Sequence, residues 1–182
     1  MQAKKNVRRI VTARTGSGRS YVIEDGQVEE ASLGNFNLWQ VSPQSPDSPG
    51  LAAAAQFPFV PAAGGSLVRV FRLPPEPGNA SPEDRARMSA EFGATIGLPG
   101  SQPDTSRHPF MHVTPTTDYL MLLSGEVSLL LDEGDPIALR PFDVVIQRGT
   151  NHAWINTGSA DAFLLSVMIS LARPADEHKS KT

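Results

Sequence analysis

The chain has 182 residues, enough for one domain with an arm but too few for two full-sized domains, and its 40% hydrophobic content suffices to fill a core. Lys plus Arg number 16 against 19 Asp plus Glu, a net charge of -3, which opposes nucleic-acid or membrane-surface binding. There is no cysteine, so disulfide scaffolds, thiolate metal sites and cysteine nucleophiles are excluded, and with four histidines any metal must be held by imidazole and oxygen.

From the N-terminus, Lys4, Lys5, Arg8 and Arg9 are followed by only Ile10 and Val11 before polar residues return, so no secretion signal is expected. The longest apolar stretch, 51–63, is interrupted by Gln56, Pro58 and Pro61 and is no membrane span. A cytoplasmic protein is the expectation. Residues 7–15 and 19–25 flank Gly16-Ser17-Gly18 as a hairpin or sequential strands, 36–41 form a short strand, 42–50 a loop, and 66–73 a strand ending at Pro74-Pro75. We expect 1–75 to be a β extension that serves as a dimerisation arm in a homodimer.

Thirteen of the 16 prolines lie between Pro43 and Pro115. Proline cannot donate to a sheet ladder, so this middle reads as loop, edge and lid, with 76–108 as the lid proper. It carries one helix signal. Ser81 is placed as N-cap, Pro82 at the first helical position and Glu83-Asp84 in the first turn, predicting a helix over 82–92 that Gly93 stops.

From 109 to 172 short β-like runs follow one another, separated by Ser124-Gly125, Asp132 to Asp135, Arg148-Gly149 and Thr157-Gly158. Strands at this spacing, with no helical period between them, predict an all-β antiparallel sandwich or barrel. The tail 173–182, with His178, is expected to be disordered. Within this region His112, Thr114, Thr116 and Asp118 share parity, which in extended backbone turns all four to one face. A histidine, two hydroxyls and a carboxylate on one face need partners. Two hairpins later come Gln147, Arg148, Gly149, His152, Trp154 and Asn156.

The stretch from His112 to Asn156 resembles the two motifs of the cupin superfamily. In the first, His112 takes the leading histidine, Thr114 replaces the second, Asp118 replaces the glutamate, and Gly125 follows after six residues. In the second, Gly149, His152 and Asn156 keep the spacing, Phe142 replaces the leading glycine and Gln147 the proline, with one residue fewer between them. The resemblance covers roughly the last 70 residues. It implies an all-β, cupin-type double-stranded β-helix (jelly-roll) barrel with an N-terminal β extension and one short helix. It also implies one divalent transition metal (Fe, Mn, Zn or Ni) held by His112, Asp118 and His152, weakened by Thr114. Tyr119 and Gln147 are the candidate catalytic residues, and Thr114, Thr116, Phe142, Arg148 and Trp154 the candidate substrate pocket. His108, outside the motif, is expected at the surface or rim. The implied function is a metal-dependent cupin enzyme, of lyase or dioxygenase type, acting on a small organic acid or an oxygenated, including aromatic, small-molecule substrate. The alternative is a non-catalytic binding cupin that has lost its metal.

Overall fold

The structure, a computed structural model, describes residues 6–43, 57–76, 78 and 80–170. Most of the expected 42–50 loop and the tail expected to be disordered, with His178, lie outside the described residues.

Strands β1 (Val7–Arg14) and β2 (Ser20–Val28) form an antiparallel hairpin around the Gly16-Ser17-Gly18 turn, as the turn residues predict. After a single turn of 3-10 helix at Ser32–Gly34 come β3 (Asn35–Val41) and β4 (Ser66–Leu73). The region from 117 onward supplies β5 (Thr117–Ser124), β6 (Val127–Leu131), β7 (Ile137–Leu139), β8 (Val144–Gln147), β9 (His152–Asn156) and β10 (Ala162–Ile169). A five-stranded sheet in the order β3-β4-β10-β5-β8 faces a three-stranded sheet in the order β7-β6-β9, with every pairing antiparallel. Period-2 alternation sends Leu120, Leu122, Val127, Leu129, Trp154 and Leu164 into one buried cluster. A second cluster, Val28, Phe36, Val70 and Phe163, lies apart from it, with Val7 of the hairpin packed alongside.

Of the first four strands, β3 and β4 join the five-stranded sheet, while β1 and β2 form a two-stranded sheet of their own. Central strand β10 pairs along one edge with β5 and along the other with β4, so β4 is part of the barrel wall. An unpaired row of amides on so apolar a strand would be costly, and β4 satisfies it.

Two local expectations are corrected. Helix α1 runs Pro82–Ile96, with Ser81 Oγ accepting from the Asp84 amide as expected, but it passes through Gly93 and ends at Gly97, whose φ is 66°. Gly93 leaves room for the Gln102 side chain: a Cβ there would sit 2.3 Å from Gln102 Oε1. The run at 111–114 is also not a regular strand. It makes a single bridge, in which His112 and His152 exchange amide-to-carbonyl hydrogen bonds of 2.9 and 3.0 Å. Its alternation nevertheless holds, with His112, Thr114, Thr116 and Asp118 all buried.

Candidate active site

A cavity of about 720 Å³ opens between the inner face of the barrel and helix α1. Its wall carries His112, Thr114, Asp118, His152, Trp154 and, from β4, Arg69. Met88 and Phe92 of α1 line it as well. Phe92 packs against Phe110 with ring centres 5.1 Å apart, and against His112 at 5.2 Å. Phe59 meets Phe92 edge-on.

The paired backbone bonds between His112 and His152 bring their rings to 4.4 Å. Nδ1 of His112 lies 2.9 Å from the Phe110 carbonyl, so it carries the proton and donates. Nδ1 of His152 lies 2.9 Å from the Thr150 carbonyl and 2.9 Å from Gln147 Nε2. The two hydrogens of Gln147 Nε2 already have acceptors in Thr150 O and Oγ1, at 2.7 and 2.6 Å. The network therefore assigns His152 Nδ1–H to the Thr150 carbonyl. In both rings Nε2 remains, as a lone pair. Burial pushes His112 below the ordinary histidine range, and burial reinforced by the neighbouring His112 pushes His152 down to about 3.

Asp118 shows the opposite perturbation. Burial raises its carboxyl to about 6, against the lowering effect of the Thr116 hydroxyl, the positive charge of Arg69 and the Thr114 hydroxyl. Its Oδ1 is buried without a hydrogen-bond partner among the described residues. The Nε of Arg69 is in the same condition, while its Nη2 donates to the carbonyls of Pro58 and Phe59 at 2.9 and 3.1 Å. Burial lowers the Arg69 guanidinium to about 10, and the charge of Asp118 limits the fall.

The expected site residues separate into three groups. His112, Asp118, His152, Thr114 and Trp154 share the cavity wall. Gln147 and Thr116 stand behind it: Gln147 braces the loop under His152, and Thr116 donates to Thr114 Oγ1 at 2.8 Å. Tyr119, Phe142 and Arg148 lie outside it, and their expected roles are corrected. Tyr119 has the parity opposite to Asp118 and is 45% exposed on the outer sheet face. Phe142 is 75% exposed in the turn before β8, at a φ of 74°, a left-handed conformation suited to the glycine it replaces. Arg148 is exposed just after β8. His108 is buried and not at the surface, with Nε2 3.2 Å from Glu76 and Nδ1 accepting from the Phe110 amide.

Arg69 belongs to the site although no motif marks it, and its signal is periodicity. Leu67, Arg69, Phe71 and Leu73 share parity, so an arginine stood in the inward series of β4. The aromatic cover of Phe59, Phe92 and Phe110 comes from loop and lid, and no periodicity marks it.

A divalent metal was expected on His112, Asp118 and His152. The two imidazoles present the anchored Nδ1–H and open Nε2 common in metal-binding histidines. Yet among the described residues no three of His, Asp and Glu come together in a group able to hold a metal ion. The residues thus do not assemble the expected three-ligand centre, because Asp118 is placed with Arg69, Thr114 and Thr116 instead.

Two antiparallel sheets wrapped into one barrel, with both motif histidines joined on its inner wall, settle the architecture. The fold is that of a cupin. No protein-family model matches the chain. The chain is 50% identical over 46 residues to phomopsin biosynthesis cluster protein C' of Diaporthe leptostromiformis, a match covering 25% of this chain and 24% of that protein. It is 37% identical over 46 residues to a cupin-domain-containing oxidoreductase of Aspergillus ruber, covering 25% of this chain and 23% of that one. The matches thus span about a quarter of these relatives. Among solved structures, an RmlC-like cupin family protein with a double-stranded β-helix fold from Methanocaldococcus jannaschii is 14% identical, with a TM-score of 0.37 over 59% of this chain and 72% of that one. Among the described residues no helix is long and apolar enough to cross a membrane.

Proposed function

We propose that this protein is a cupin enzyme of lyase type that moves a proton on a small oxygenated molecule held in the cavity between barrel and α1. The observation that carries this reading is Asp118, a buried carboxyl on the cavity wall, raised to about 6, with Oδ1 unpartnered. A carboxylate tuned close to neutrality is suited to taking and returning a proton. The neighbouring Arg69 supplies the complementary group, a buried cation whose Nε–H has no partner among the described residues. In the proposed step Asp118 removes the proton α to a carbonyl and the resulting enolate oxygen accepts from Arg69. Asp118 then gives the proton to a departing β-hydroxyl, so that the net change is loss of water. The aromatic cover excludes solvent while this happens.

The test incubates the protein in D₂O with a panel of β-hydroxy carbonyl compounds and reads dehydration and deuterium incorporation by mass spectrometry. Turnover by the native protein and at least a ~100-fold loss in Asp118→Asn are expected. Equal turnover by the two proteins would overturn the reading.

A second reading, a non-catalytic binding cupin, is favoured by one observation: the expected metal ligands do not converge. It requires tight binding in the same cavity with no turnover on any member of the panel.

A further inference from the structure

The polar end of the cavity is unbalanced in its hydrogen-bonding capacity. Its wall presents acceptors: the Nε2 lone pairs of His112 and His152, which the Nδ1–H donations leave, and Oδ1 of Asp118, which has no hydrogen-bond partner among the described residues. The neighbouring hydroxyls offer them little, because Thr116 donates to Thr114 and both hydroxyls are already engaged with each other and with Asp118. Against these acceptors stands one cationic donor, Nε of Arg69. The other arginine on the wall, Arg72, is occupied by Glu30 at 2.7 Å and Asp161 at 3.5 Å.

Buried acceptors are satisfied by donors, and each one left unpaired is costly. A carboxylate ligand brings only acceptors, and it would sit against two lone pairs and the charge of Asp118. We infer that the cavity takes an uncharged, hydroxyl-bearing aromatic or conjugated molecule, whose O–H groups donate to His112, His152 and Asp118 while an oxygen accepts from Arg69. This rests on the reading of the cavity as the active site and narrows it, since it removes small organic acids from the substrate class. The apolar part of the ligand lies against Phe59, Phe92, Phe110 and Trp154, all on the cavity wall. An apolar pocket with a few convergent polar groups fixes orientation at the polar end and leaves the body to packing.

The test uses three aromatic probes of similar size with chelator-treated native protein: catechol, with two O–H donors; 1,2-dimethoxybenzene, with the same oxygens and no donor; and benzoate, an anion. Binding is read by ligand-detected NMR, and Met88→Trp, which fills the cavity from α1, locates it. Catechol is expected to bind at least ~10-fold more tightly than either competitor, because a site built to pair hydroxyls rejects analogues that lack them. Asp118→Asn should narrow its advantage over benzoate, and Met88→Trp should abolish its binding. Benzoate binding as well as catechol and lost in Met88→Trp would overturn the hydroxyl inference while leaving the cavity as the site. Catechol binding that Met88→Trp leaves intact, or that appears only when a transition metal is added, also overturns it. Failure of all three probes to bind overturns it too, and the deuterium assay then judges the enzymatic reading independently.

Discussion

Replacing Asp118 with asparagine should stabilise the protein at neutral pH, although the residue lies in the heart of the site. In the fold its carboxyl is raised from 3.8 to about 6. An aspartate so displaced binds its proton more tightly folded than unfolded, so the ionised form costs the fold about 3 kcal/mol once the pH is well above 6. That value already contains the attraction of Arg69, which partly offsets burial. The sign follows directly. Between about pH 4 and 6 the folded state holds a proton that the unfolded state has released, so stability rises as the pH falls through 6. Asparagine approximates the protonated acid and has no such dependence. Denaturant titrations at pH 8 and pH 4 give the comparison: Asp118→Asn should exceed the native protein by about 3 kcal/mol at pH 8 and by close to zero at pH 4. For a chain of this size the gain corresponds to a rise in Tm of about 6–12 °C. A variant less stable than the native protein at pH 8, or a difference independent of pH, would refute the account of Asp118 as a desolvated acid.

Other substitutions probe the frame of the site. Phe142→Gly removes a bulky side chain from a φ of 74° and should raise stability by about 1 kcal/mol, read as a Tm increase of about 2–4 °C. Gly125→Ala should do the reverse, because its φ is 96° and a Cβ would lie 2.6 Å from both Cα and Cβ of Ala162; a loss of about 3 kcal/mol or more is expected in chemical denaturation. Fe(II), Mn, Zn or Ni added to chelator-treated protein should raise its Tm no more than that of His152→Ala, since among the described residues no third ligand joins the pair; stoichiometric metal that survives purification natively and is absent from His152→Ala would contradict this. We also propose a homodimer through the N-terminal β extension, where Tyr21, Val22 and Ile23 are 46%, 54% and 46% exposed. Light scattering at micromolar concentration should give twice the chain mass, and Val22→Lys with Ile23→Lys should halve it.

Much of the architecture was legible because its signals are local. The β1–β2 turn, the Ser81 cap, the strand spacing after residue 109 and the parity of His112, Thr114, Thr116 and Asp118 all depend on backbone geometry over a few residues. The length of α1 is not legible for a local reason too: glycine normally marks a helix end, and the side chain that Gly93 faces, Gln102, lies beyond the helix. Tyr119 and Phe142 were placed in the pocket by the company they keep in the motif. For Tyr119 the same period-2 rule that turned Asp118 inward excludes it.

By itself, then, the sequence determined the fold class, the absence of thiol chemistry and the two histidines of the inner wall, since composition and period are properties of the chain alone. Tertiary structure decided what those histidines face. It brought Arg69 from β4 beside Asp118, 49 residues later, and set Asp118 among threonines instead of with the imidazoles. That choice depends on which strands flank β10 and on how burial weighs against charge, and both arise only when the two sheets close on each other.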